Sequence, residues 1–215
     1  MIFQDKIAVI VAGGRSLAGF DFDQMRRDDV RVMAVKGSIF DLPWAACGFG
    51  LDTPRYEEWR ERLAAEVTMP VYWAVPEPGA ATMIAQKPAC VRFVKRHPGV
   101  GLSRSPGEVY SGGSSGFGSL GMVYALGPPR GVILLGFDYR GEEKDGPVHH
   151  NEQHYIRPRK HSNGNWATWA AAFNVIAPRL KAAGVRVVNA FPESAINCFE
   201  KADTYAEAVA RFYRV

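Results

Sequence analysis

Cysteine is scarce in this chain: three residues, Cys47, Cys90 and Cys198, odd in number and widely spaced along 215 positions. That argues against a disulfide framework, and the three read as reduced cytosolic thiols that mostly fill the core. Long apolar runs are missing too. None approaches the roughly 18 residues of a membrane span, so no transmembrane helix is expected. The opening Met1-Ile2-Phe3-Gln4-Asp5-Lys6 has no basic stretch followed by a long apolar core. No signal peptide is therefore expected, and the expected location is the cytoplasm. A strong charge of one sign is also absent. The 26 basic and 22 acidic residues leave a net charge of +4, which is too small to indicate nucleic-acid binding and suits a phosphate-bearing small ligand equally well. There is no internal repeat, and a single short Gly/Ser segment is the only low-complexity tract.

What is present is an ordinary globular balance. Hydrophobic residues make up 47% and charged residues 22%, which excludes wholesale disorder. The length suits one domain over 1–215 with a core large enough to need no metal or disulfide staple. Strand-like and helix-like segments alternate. Apolar runs predict strands over 7–12, 30–35, 47–51, 71–75, 90–94, 132–135 and 185–188. Helices are predicted over 20–27, 40–46, 54–67, 166–183 and 205–213, with Pro43 interrupting the second and Pro178 kinking the fourth. Gly184 marks the stop of that fourth helix. Strands apolar throughout, alternating with helices, predict a three-layer Rossmann-like α/β fold around a mostly parallel sheet. Such sheets bind ligands beyond the carboxyl ends of their strands.

Four segments at such places could carry chemistry. Gly13, Gly14 and Ser16 follow the first strand, where bare backbone can approach a phosphate; the plain alternative is a tight turn. The glycines at 13, 14 and 19 do not fit Gly-x-Gly-x-x-Gly, and Lys36 ends the second strand where a nicotinamide-cofactor site wants an acid. The second segment, 111–121, packs five Gly and four Ser into eleven residues. It reads as a loop entering a helix, with a flexible linker as the alternative. Asp138 ends the strongest strand after the first, where it could hold a sugar hydroxyl, orient a base, bind a metal or simply cap a turn. Last, His149, His150, His154 and His161 fall within thirteen residues, beside Arg157, Arg159 and Lys160. This suits anion binding with a general acid or base near neutral pH. The spacings match no standard zinc signature, and a solvated polar loop is the bland alternative. The long loop over about 139–163 suggests a lid or active-site element.

Taken in order, these segments resemble a known superfamily. It joins bacterial sialyltransferases of the single Rossmann-like type, motility-associated glycosyltransferases and the archaeal hydroxymethylpterin pyrophosphokinase. The chain looks closest to a branch encoded in bacteriophage and prophage genomes. The likeness runs from Ile7 to about Ala208. The family opens with Gly-x-Gly-Pro-Ser-Leu after strand one, and here the corresponding run is Gly13-Gly14-Arg15-Ser16-Leu17. Lys36-Gly37 stands where the family has a nucleotide-binding Asn. Leu42-Pro43-Trp44-Ala45 matches the phage branch, and Asp52 falls where the family has a polar residue facing the nucleotide. Ser114-Ser115-Gly116-Phe117-Gly118-Ser119 corresponds to Asn-Ser-Gly-x-x-Ala, with the Asn lost. Leu134-Leu135-Gly136-Phe137-Asp138 and the run from Asn189 to Phe199 match well. The phage branch aligns His149 and His154. The sialyltransferase run His-Tyr-x-x-His-Ser resembles His154-Tyr155 with His161-Ser162.

The resemblance implies transfer from a nucleotide-activated donor, best read as a nucleotide sugar, to an acceptor hydroxyl. Gly13, Gly14, Ser16, Lys36, Asp52, Ser114, Ser115 and Gly116 would bind the nucleotide. His154 or His161 would be the base, with Asp138 orienting donor or base. Arg157, Arg159 and Lys160 would stabilise the leaving phosphate. No cofactor is expected to be essential. Two alternatives stay open: pyrophosphoryl transfer from ATP, which would need Mg²⁺, and a catalytically silent phage protein that binds a nucleotide. The expected partner is a nucleotide or nucleotide sugar, with no nucleic acid indicated and the oligomeric state open.

Overall fold

In the computed structural model, residues 1–79, 86–140, 149–155 and 165–213 are described. The strands are β1 (Ile7–Val11), β2 (Val30–Val35), β3 (Cys47–Leu51), β4 (Val71–Val75), β5 (Val91–His97), β6 (Glu108–Tyr110), β7 (Gly131–Leu135), β8 (Arg186–Asn189) and β9 (Glu200–Lys201). They form one sheet in the order β6-β5-β4-β3-β2-β1-β7-β8-β9, and every neighbouring pair is parallel. Each residue of β1, β3, β4 and β7 is buried, because both faces of a parallel sheet are covered.

The helices are α1 (Ser38–Asp41), α2 (Thr53–Glu66), α3 (Ser115–Ala125), α4 (Trp166–Ala182) and α5 (Tyr205–Ala210). Alternation along β1 divides the core. Ala8 and Ile10 face one layer, with Phe117 and Leu120 of α3 and Phe173 and Ile176 of α4. Ile7, Val9 and Val11 face the other, with Tyr56, Trp59 and Leu63 of α2 and Ala208 of α5. Each fully buried large side chain contributes about 1.5–3 kcal/mol, so these two layers drive the fold. Helix α3 is buried along nearly its whole length and lies close to the sheet. A Cβ at Gly118 would sit 3.0 Å from the Phe49 ring, so glycine here permits the close approach.

Several expected elements differ. The helix expected over 20–27 is replaced by one short 3₁₀ turn, Phe22–Met25, capped by the Asp21 side chain; another, Arg15–Leu17, precedes it. The helix expected over 40–46 is α1, which lies earlier and ends before Pro43, with Leu42 outside the helical region at φ −125° and ψ 61°, since proline disfavours a helical residue before it. Helix α4 runs as one element through Pro178, and Gly184 follows it at φ +74°. The edge strands β6 and β9 have too few residues to show a period. The three cysteines are free, with Cys47 buried. Among the described residues, no helix is long and apolar enough to cross a membrane.

Candidate functional site

The chain leaves β1, steps outward through β2 to β6, then returns as β7 on the other side of β1. Consecutive connections therefore diverge at the carboxyl ends of β1 and β7, where a parallel sheet opens a crevice. A cavity of about 810 Å³ lies there. Its wall takes Gly13, Gly14, Arg15 and Ser16 after β1, and Lys36 and Asp52 after β2 and β3. The start of α3 adds Ser114, Ser115 and Gly116, and Asp138 and Tyr139 follow β7. The nucleotide-binding residues expected from the sequence are thus brought together, although they span more than a hundred positions.

Two loops are clasped across the crevice. The Gly14 N–H donates to the Gly136 carbonyl at 3.0 Å. The Ser16 N–H and hydroxyl donate to the two oxygens of Asp138, at 2.9 and 2.5 Å. A Cβ on Gly14 would fall 2.5 Å from the Gly136 oxygen, so only glycine fits. Each Asp138 oxygen accepts one bond of this clasp, so the carboxylate holds the loop after β1 while still lining the cavity.

Helix α3 starts at the cavity. Ser114 is its cap: its Oγ accepts the Phe117 N–H at 3.2 Å and bonds the Tyr139 hydroxyl at 2.7 Å. Ser115 is 7% exposed, and its hydroxyl has no partner among the described residues. An unsatisfied buried hydroxyl beside free helical N–H groups is a ready anion site. Burial pushes the Tyr139 phenol well above its ordinary pKa, against the smaller opposing effect of its Ser114 bond. It is a neutral donor at physiological pH.

Lys36 and Asp52 form an ion pair at 2.7 Å. Both have positive φ, +54° and +92°, a conformation that costs side-chain-bearing residues energy and recurs at functional sites. The Asp52 carbonyl accepts the Trp73 indole N–H at 3.2 Å, which helps hold that turn.

The histidines separate. His149 is in the cavity wall. Its Nδ1 lies 3.0 Å from the Gly13 carbonyl. A carbonyl only accepts, so Nδ1 carries a proton, and in the neutral imidazole Nε2 is then the acceptor nitrogen. Its ring stacks on Tyr155 at 5.8 Å. His154 does not line the cavity. Its Nε2 lies 2.6 Å from Asp41 Oδ1, its Nδ1 lies 2.9 Å from the Arg62 guanidinium, and its carbonyl accepts the Trp59 indole N–H. Because Arg62 can only donate, His154 Nδ1 must accept and Nε2–H must donate to Asp41. That leaves His154 as an anchor in this geometry. His150 is buried at 3.7 Å from Asp41 Oδ2, and the fully buried Asn151 donates to Ser38 Oγ at 3.1 Å. Burial pushes the Asp41 carboxyl up, but its contacts with His150 and His154 outweigh this and hold it below the usual value. The segment 149–155 is thereby pinned beside α1 and α2, and it presents His149 and Tyr155 to the cavity. His161, Arg157, Arg159 and Lys160 lie outside the described residues.

Sequence reasoning passed over Asp41, Arg55, Trp166 and Trp169. Arg55 lines the cavity, with its guanidinium 4.8 Å from the Tyr155 ring centroid; its place just past the end of β3 was the available signal. Arg15 stood in the first loop without a role assigned. It is exposed at the cavity mouth with no acidic partner among the described residues. No group of three or more His, Cys, Asp or Glu among the described residues gathers to hold a metal.

No protein-family model and no curated protein sequence matches the chain. Among solved structures, it is similar to the sialyltransferase CstII from Campylobacter jejuni in complex with a substrate analogue, CMP-3FNeuAc. The TM-score is 0.52 over 94% of this chain and 88% of that one, at 12% sequence identity. The chain therefore has an α/β, Rossmann-like fold of the kind seen in a sialyltransferase.

Proposed function

We propose that this protein is a transferase that uses a nucleotide-activated donor, best read as a glycosyltransferase moving a sugar from a nucleotide sugar to an acceptor hydroxyl. The observation that carries the reading is the large cavity over the β1–β7 crevice, walled by two Gly/Ser loops. Similarity of fold to a sialyltransferase, solved with a nucleotide-sugar analogue, supports it. The donor phosphate would meet the N-terminus of α3 and the Ser115 hydroxyl, with Arg15 adding positive charge from the first loop. His149 Nε2 would take the acceptor proton. The bond from the sugar carbon to the phosphate oxygen would break, a bond to the acceptor oxygen would form, and the nucleotide would leave on the N–H groups of α3.

The test is calorimetric and thermal-shift titration with nucleotides and nucleotide sugars, followed by product analysis with simple sugar acceptors. Specific stabilisation by a nucleotide sugar, with transfer or slow donor hydrolysis that survives a chelator, supports the reading. Turnover of ATP that requires Mg²⁺ would replace it with pyrophosphoryl transfer. Tight nucleotide binding without turnover would favour the silent binder. That second reading draws on one observation: Asp138, Lys36 and His154 each already hold a protein partner.

A further inference from the structure

We infer that the outer edge of the sheet at β5 and β6 is a docking surface for nucleic acid, which it holds through the phosphates. This surface is independent of the function proposed above. The net charge of +4 is unevenly spread along the chain. Residues 78–107 contain Lys87, Arg92, Lys95, Arg96 and Arg104 and no Asp or Glu. Those five positive charges in thirty residues exceed the +4 of the whole chain. The segment lies at one end of the sheet. Strand β5 pairs with β4 along its inner side, while β6 covers its outer side only over Lys95–His97.

Alternation along β5 sets cations on both sides of this edge. Val94 packs into the layer of α3 and α4, so Arg92 and Arg96 point to that side and Lys95 to the other. Arg92 lies over the Tyr72 ring at 5.8 Å, with Nη1 3.4 Å from the Tyr72 hydroxyl. Arg104 stands in the loop between β5 and β6. That loop rests against α3, since a Cβ on Gly121 would lie 2.9 Å from Ser103 Oγ. Helix α3 itself contains no charged residue. Arg92, Lys95 and Arg104 are exposed and Arg96 is half-buried. Among the described residues, Lys95, Arg96 and Arg104 have no side-chain hydrogen bond or ion pair, and the first acid after them, Glu108, is held by His97 Nε2 at 3.0 Å. Other surface arginines are neutralised, Arg26 by Asp23, Arg62 by Glu66 and Arg186 by Glu200.

A run of cations without acids raises a positive potential that gathers polyanions. Cations on an edge strand also block edge-to-edge pairing, but Arg104 lies off the strand, over α3, where it guards no free backbone. Guanidinium forks match the paired oxygens of a phosphate. Arg92 and Arg96 are four residues, about 13 Å, apart along the strand, too far to share one phosphate. The fitting ligand therefore repeats its charge, as a nucleic-acid backbone does. An anionic bilayer repeats phosphates too, but basic surfaces that lie in a bilayer carry Trp, Phe or Leu beside the charge. Among the described residues, the only exposed large apolar side chain at this edge is Val100. The carboxyl end of the edge leads to the crevice. The Ser111 N–H donates to the His97 carbonyl at 3.0 Å and the Gly112 N–H to the Gly99 carbonyl at 3.1 Å, and the chain then enters the cavity wall at Gly113. Four strand spacings separate β5 from β1, so a docked strand lies about 19 Å from the crevice floor.

The experiment is fluorescence anisotropy of the full chain with labelled DNA duplexes of about 20 base pairs and unrelated sequences, at salt from about 50 to 200 mM. Binding should be indifferent to sequence, and the log of the affinity should fall with the log of the salt concentration at a slope of about −3 to −4. Joint Arg92→Gln, Arg96→Gln and Arg104→Gln should weaken binding at least about tenfold at low salt and flatten the slope by about two to three. Arg104→Gln alone, a change in an exposed loop, should flatten it by about one, which keeps the test open if the triple variant folds poorly. Arg186→Gln should bind as the wild type does, because Glu200 already holds that guanidinium. Vesicles of phosphatidylserine and phosphatidylcholine, in a sedimentation assay, should bind more weakly than the duplex. Vesicle binding as tight as duplex binding, or tighter, overturns the assignment in favour of a membrane. Duplex binding unchanged by the edge variants, or weakened equally by Arg186→Gln, overturns it by placing the contact elsewhere or on net charge alone. No duplex binding at low salt overturns it too, and aggregation of the triple variant would then mark the cations as guards of a free sheet edge.

Discussion

The Ser16 hydroxyl donates to Asp138 Oδ1 at 2.5 Å, and the Ser16 N–H reaches the other oxygen of the same carboxylate at 2.9 Å. This one contact ties the loop after β1 to the loop after β7 and fixes the floor of the crevice. It follows that Asp138 works by holding backbone. Asp138→Ala leaves a partly buried N–H without an acceptor, which costs about 1–3 kcal/mol. Urea unfolding should read that loss. Where turnover is measurable, the pH profile should keep its shape. A profile that loses one limb in Asp138→Asn would instead make the carboxylate a proton carrier.

The two histidines at the ends of the pinned segment should respond differently. His149→Ala should lower turnover by about a hundredfold with ligand affinity nearly kept. His154→Ala should instead lower stability by about 1–3 kcal/mol, since Asp41 and Arg62 lose their shared partner. Steady-state kinetics beside thermal unfolding separates the two. A His154 variant with native stability and no turnover would reverse the assignment.

Asp41 makes a prediction in pH. Its folded pKa is held below the unfolded value, so the unfolded chain binds the proton more readily. Stability from this group is complete above the ordinary carboxylate pKa of about 3.9 and is lost as pH falls through the lower folded value. In Asp41→Asn this part of the acid limb should vanish, and unfolding midpoints between about pH 2 and 5 should depend less on pH. An unchanged slope would show that other carboxylates carry it.

Lys36 pairs with Asp52 while both occupy positive φ. Asparagine tolerates that backbone, which offsets the loss of an ion pair that is largely buried at Lys36 and open to solvent at Asp52, so Lys36→Asn should change stability by less than about 1 kcal/mol. Binding should change more. Nucleoside diphosphates should lose more affinity than monophosphates, because the lost charge faces the ligand. Equal losses in a titration of both would leave Lys36 only the task of holding Asp52.

Much of the fold is legible in the amino-acid sequence. Strands such as 71–75 and 47–51 declare themselves because a sheet covered on both faces needs uninterrupted apolar residues. The helices over 54–67 and 166–183 match α2 and α4 to within a residue or two, since their apolar stripes recur at helical spacing and Pro54 and Gly184 mark a start and a stop. Short elements are not legible in this way: α1 and β9 are set by neighbours, Pro43 for one and β8 for the other. The two Gly/Ser loops that line the cavity stand out because Gly and Ser concentrate after strands.

The roles within the site do not. By itself the sequence determined a covered parallel sheet, its two Gly/Ser loops and a histidine-rich stretch near the ligand edge, because burial period and turn chemistry are local properties. Only the tertiary structure decided that Asp138 clasps Ser16, that His154 turns to Asp41 and Arg62 while His149 faces the cavity, and that Trp166 and Trp169 meet in its wall. Those relationships join residues from 3 to 122 positions apart, and local pattern carries no information about which side chains a folded sheet edge brings face to face.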